Sequence, residues 1–206
     1  PALVISISRQ RLRLTGVLLL PIFAGISSGL DHAFWSTAIK QTQVANATLF
    51  NNIAPVWVIL FAVVFLKEKL KFNFWIGLAL TLAGATIVLG SNLINQPQFT
   101  GGDLLALVSS LWYAGYYLLS QLGREKMPAI VFVGIASSVS CLTILLATQL
   151  AGQSLIGYSN STYLMFLGAG LISQVTGYFA LVYALGHLPA SIVSPSMVIQ
   201  PVITAL

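Results

Sequence analysis

Nine Lys or Arg and four Asp or Glu are the only formal charges in 206 residues, and nearly all of them sit in short corners. Between the corners run apolar stretches of about 20 residues, the length that crosses a bilayer as a helix. A soluble domain needs roughly a quarter charged residues to cover its surface; here 6% are charged, and mean hydropathy is +0.93. The chain is expected to be an all-α polytopic membrane protein. No stretch between the spans is long enough for a soluble domain.

Charge and Gly/Pro punctuation predict seven spans: Leu12–Ile39, Thr42–Leu66, Phe72–Ser91, Asp103–Leu122, Pro128–Leu150, Tyr163–Gly186 and Ala190–Leu206. Residues 1–7 read as the tail of an earlier span. The basic corners alternate with uncharged ones. Arg9, Arg11 and Arg13, then Lys67, Lys69 and Lys71, then Arg124 and Lys126 fall on one side, and only Lys40 falls on the other. The positive-inside rule places the loops 8–13, 67–71 and 124–126 in the cytoplasm. The net charge of +5 therefore reads as topology, and no basic–aromatic pattern for nucleic acid is present. The single cysteine, Cys141, excludes an internal disulfide framework. No signal peptide is visible at Pro1.

The segment Thr37–Leu60 echoes Tyr183–Leu206, aligning Ala38 with Ala184, Ile53 with Ile199 and Pro55 with Pro201. The offset from Pro55 to Pro201 is 146 residues. An odd number of spans lies between the copies, so they enter the membrane from opposite sides, the inverted-repeat arrangement of secondary transporters. The expected division is a first repeat at 1–91, a loop at 92–102 and a second repeat at 103–206. Symmetry predicts a parent of about ten spans, five plus five, from which two are missing before Pro1 and one after Leu206.

Several runs carry a resemblance to a known family. They are T-x-x-A-N-A-T-L-x-x-N-x-A-P-V at Thr42–Val56, L-K-E-K-L at Leu66–Leu70 and W-I-G-L-A-L-x-L-A-G at Trp75–Gly84. In the second half, Gly102–Gln121 and Ala184–Ser194 match likewise. The chain resembles EamA-type transporters of the drug/metabolite transporter superfamily over nearly its whole length. The resemblance implies ten helices, alternating access and transport of small metabolites, commonly by efflux. The family's corner often begins with Gly, where this chain has Lys67, which bears on the local turn.

Polar groups inside a span are costly and mark sites or packing. Asp31 and His32 are candidates for solute contact or proton coupling. Neighbours on a helix point about 100° apart, which argues against a catalytic pair. Trp35 lies one turn on and reads as a cation-binding aromatic or an interfacial anchor. Asn51 and Pro55 mark a broken helix of the kind that forms transporter sites; the symmetric helix has Ser194, Pro195, Gln200 and Pro201. Asn46 reads as interhelical glue. Trp112 and Tyr116 belong to an aromatic face, either core or solute stack. Gln174 and Tyr178 match Ser28 and His32 at the repeat offset. Asp103 reads as a helix cap, and the glycines of Gly25-x-x-x-Gly29 and Gly168-x-Gly170 as close-approach points.

The expected function is secondary transport of small organic metabolites, amino-acid- or drug-like, in a bacterial inner membrane. The expected partners are the lipid bilayer, a small solute and protons, with a homodimer compatible; no cofactor, metal or catalytic residue is expected. A nucleotide-sugar or sugar-phosphate exchanger is the alternative, disfavoured because every basic residue lies in a loop or at a span end. A non-transporting scaffold is the third reading. An enzyme is not expected, since neither His-Glu-x-x-His nor Gly-x-Ser-x-Gly occurs.

Overall fold

Helices account for every regular element of the computed structural model, which describes the backbone of residues 2–65, 67–89 and 99–199 and the side chains of 16–65, 67–87 and 99–199. In order they are α1 (Ala2–Ala38), α2 (Val44–Asn51), α3 (Ala54–Phe65), α4 (Phe72–Leu89), α5 (Gly101–Arg124), α6 (Ala129–Leu150), α7 (Asn160–Ala169), a π-helical segment (Gly170–Gly177), α8 (Tyr178–Leu185) and α9 (Ala190–Ser196). Among the described residues, four stretches are long and apolar enough to cross a membrane: Gly16–Ala38, Val44–Phe65, Ala129–Leu150 and Asn160–Leu185. Phe72–Ile87 is a shorter apolar helix. Many large apolar side chains are exposed on the bundle, among them Phe65, Phe72, Leu146, Leu164 and Ile172. On a chain this poor in charge, that is the surface a bilayer solvates.

α5 is the central element, packed against α1, α2, α3, α8 and α9. Its position explains its composition. A helix enclosed by other helices need not be apolar all round, and Ser109, Ser110 and Ser120 are buried in it with Tyr116 and Tyr117. Its start is a capping box. The Thr100 hydroxyl accepts from Asp103 N–H, and Asp103 Oδ2 accepts from Thr100 N–H at 2.7 Å. Asp103 is thus the third helical residue of the cap, and its other oxygen accepts from the Thr42 hydroxyl at 2.7 Å.

α1 crosses α6 closely at two glycines. A Cβ on Gly25 would collide with the Ala136 carbonyl and Val139, and one on Gly29 would lie 2.5 Å from Thr143 Cβ. No such approach exists at Gly168 or Gly170 among the described residues, so that expectation does not hold. A second correction concerns residues 8–13. They were expected as a loop, yet α1 runs unbroken from Ala2 to Ala38. Arg and Leu are strong helix formers, and no Gly or Pro interrupts residues 2–15. Charge marks a membrane boundary without requiring the helix to stop there.

The second span is broken where Pro55 predicts. α2 ends at Asn51, Asn52 and Ile53 turn, and α3 restarts at Ala54. Proline lacks an N–H and fits the first turn of a helix, where that donor would be unused. One repeat offset later, α9 ends at Ser196 and the chain turns at Met197–Val198. Gln200 and Pro201 lie outside the described residues. At the corner after α3, Lys67 has φ +55°, a left-handed conformation that favours glycine, and it is the sole non-glycine there among the described residues. The corner aims Glu68 at the second repeat, where Ser191 Oγ donates to Glu68 Oε2 at 2.6 Å.

Candidate functional site

Asp31 and His32 face different neighbours. Asp31 is 7% exposed. Its Oδ1 accepts from Ser109 Oγ at 2.5 Å and from Asn51 Nδ2 at 3.1 Å. Asn51 Nδ2 also donates to Ser109 Oγ at 2.7 Å, closing a three-residue ring between α1, α2 and α5. The break after Asn51 puts this amide at the end of α2, where its side chain reaches across to both partners. A buried carboxylate without donors would cost several kcal/mol, and here two donors meet it. Next to the ring, Trp57 Nε1 donates to Ser110 Oγ at 2.9 Å.

His32 turns toward a cavity of about 350 Å³. Its Nδ1 lies 2.7 Å from the Ser28 carbonyl, one turn earlier. Its Nε2 lies 3.5 Å from both Gln174 Nε2 and the Tyr178 hydroxyl. His32 and Tyr178 are 146 residues apart, the repeat offset itself. Equivalent positions of the two repeats therefore meet across the cavity. Tyr116 packs edge-on against Tyr178 with ring centres 5.3 Å apart. Ser28, Ser137, Ser140 and Cys141 add small polar groups, and Ala136, Ile144 and Leu145 make the apolar wall. Gln174 belongs to the π segment and Tyr178 follows it directly. Single π turns inside α-helices recur at functional sites, and here the wider winding extends over eight residues.

Of the candidates, His32, Tyr116, Gln174 and Tyr178 line one cavity. Asp31 and Asn51 form the adjacent buried ring and do not line it. Pro55 is buried at the start of α3. Trp35 and Trp112 are half-buried and lie outside both groups. Asn46 is buried, and its Oδ1 has no partner among the described residues. Sequence reasoning missed Ser109, Ser137 and Ser140. Ser109 lies seven residues before Tyr116, two helical turns on the same face, and that spacing is the signal that could have found it.

A helical bundle with apolar outer faces, a broken span and a half-open, mainly apolar cavity that carries a few polar groups fits an integral membrane protein. The chain belongs to the EamA-like transporter family, which it matches over residues 1–90 and again over 100–206. Two matches in one chain fit a duplicated architecture. Among curated proteins it is 23% identical to the uncharacterized transporter YdfC of Bacillus subtilis, over 85% of this chain and 57% of that protein. It is 26% identical to the uncharacterized transporter YwfM of the same organism, over 91% of this chain and 63% of that protein. An uncharacterized transporter of Methanothermobacter thermautotrophicus is 24% identical over 70% of this chain and 43% of its own length. The chain thus spans 43% to 63% of these relatives' lengths. A solved crystal structure resembles it in fold at 17% identity, with a TM-score of 0.54, covering 92% of this chain and 86% of the other.

Proposed function

We propose that the protein is a secondary carrier of small organic metabolites, working by alternating access, with efflux as its direction. The observation that carries this is the meeting of His32 with Tyr178, its counterpart at the repeat offset, and with Gln174 on one cavity. A site between two inverted copies can be exposed to either side by rocking one copy against the other. At about 350 Å³ the cavity lies at the small end of ligand pockets, which run from roughly 300 to 1,000 Å³.

The remaining features support the same reading. The cavity lining contains no Lys or Arg among the described residues, which disfavours phosphorylated solutes such as nucleotide sugars. Family membership points away from an enzyme. The alternation of basic corners supports a cytoplasmic side at 67–71 and 124–126, in a bacterial inner membrane. Division into repeats at 1–91 and 103–206 accommodates the break after Asn51 and the turn after Ser196 as counterparts.

Counterflow in proteoliposomes tests the proposal. The full-length protein, preloaded with each member of a panel of neutral and zwitterionic metabolites, should accumulate at least one labelled solute above the level of empty liposomes. Absence of exchange for the whole panel, together with no thermal stabilisation by any member, would defeat the carrier reading.

A further inference from the structure

We propose that His32 Nε2 recognises a solute bearing an N–H or O–H donor, and that solute and proton exclude each other at that atom. The inference rests on the carrier reading and names the chemistry of its site.

The argument starts from a tautomer. A backbone carbonyl only accepts, so the 2.7 Å contact with Ser28 O requires Nδ1 to carry hydrogen. In the neutral ring Nε2 is then bare, and it is this nitrogen that faces Gln174 and Tyr178. Both contacts are 3.5 Å, longer than the usual 2.7–3.2 Å of a formed hydrogen bond. The lone pair is therefore aimed at two donors without being held by either. A solute N–H or O–H entering the cavity can take it at full strength. One lone pair accepts one strong partner, so a proton on Nε2 removes the acceptor the solute needs.

The surroundings fit an atom that changes hands. On its own helix, Asp31 Oδ2 stands 3.8 Å from His32 Nδ1 as counter-charge for an imidazolium. Its Oδ1 is already engaged by Ser109 and Asn51, so Asp31 is a positioning residue behind the site. Tyr178 faces the ring from α8, Tyr116 packs edge-on against Tyr178 from α5, and Cys141 joins the wall from α6. None of these three carries a permanent charge. Histidine is the side chain whose charge ordinarily changes between about pH 5 and 8.

The experiment uses the full-length protein in lipid nanodiscs, with labelled benzamide as the donor probe and N,N-dimethylbenzamide as its capped isostere. Across pH 5 to 8, benzamide affinity should fall as the medium is acidified, by up to about tenfold per pH unit. Affinity for the capped isostere should stay flat. His32→Gln should abolish the benzamide slope while keeping isostere binding, which reports an intact cavity. His187→Gln, at an exposed corner, should leave the slope unchanged. A flat benzamide profile in wild type, equal slopes for both probes, an unchanged slope in His32→Gln, or no binding of benzamide overturns the proposal. Counterflow separates the two readings. Flux with no pH slope sinks this assignment and leaves the carrier. A His32-dependent binding slope with no flux sinks the carrier and leaves the recognition site.

Discussion

Asp31 and His32 are adjacent on α1, yet they have opposite surroundings. Asp31 has short hydrogen bonds from Ser109 and Asn51 and little exposure. His32 has one firm contact, to the Ser28 carbonyl one turn back on its helix, and two long ones across a cavity. The difference separates a polar group that holds helices together from one left free to exchange partners. Cost of burial alone would have favoured the carboxylate as the working group, whereas the geometry favours the imidazole.

Breaking the Asp31 side should have the largest effect on stability. Asn51→Leu removes a donor from a buried carboxylate and should cost about 3 kcal/mol, read as a lowered thermal midpoint in detergent. Asp31→Asn keeps an acceptor and should lose much less. If Asn51→Leu is neutral, the ring is not a structural device and the comparison fails.

On the other side, His32→Gln should shift stability by under about 1 kcal/mol while lowering counterflow at least tenfold. An unfolding cost equal to that of Asn51→Leu would mean that the two faces do not differ. Cys141 provides a milder probe, since it is the single cysteine and lies on the cavity wall. A bulky maleimide there should block flux, bound solute should slow the labelling severalfold, and Cys141→Ala should transport normally. The smallest effect is expected away from both faces. Lys67→Gly relieves the left-handed turn and should stabilise the protein by about 1 kcal/mol, measured as a raised midpoint with unchanged counterflow.

Much of the architecture was legible because bilayer physics writes it into charge and hydropathy. Corner positions, the break at Pro55 and the divergence of Asp31 from His32 all follow from local rules. Residues 8–13 misled because three arginines look like a loop, although nothing in them stops a helix. The π segment was not legible. It depends on which carbonyl each N–H selects, and Gly170–Gly177 has no composition that dictates that choice. Ser109 was passed over because small hydroxyls are common in bundles, and its importance comes from partners 78 and 58 residues away. Trp35 and Trp112 show the converse limit: helical spacing defines a face without saying what will stand opposite.

The ring around Asp31 has a consequence for how the protein is made. Ser109 lies 78 residues downstream of Asp31, so at about 5–20 residues per second the ribosome needs roughly 4–16 seconds to supply it. Through that interval Asp31 lacks at least one of its two donors, and both until Asn51 arrives 20 residues after it. The helix that completes the ring, α5, opens the second copy by sequence but packs most extensively against α1 of the first. The newborn chain must therefore either hold α1 at the insertion machinery or let it enter the lipid incompletely satisfied. Assembly of the first repeat is finished only when the second has begun to arrive.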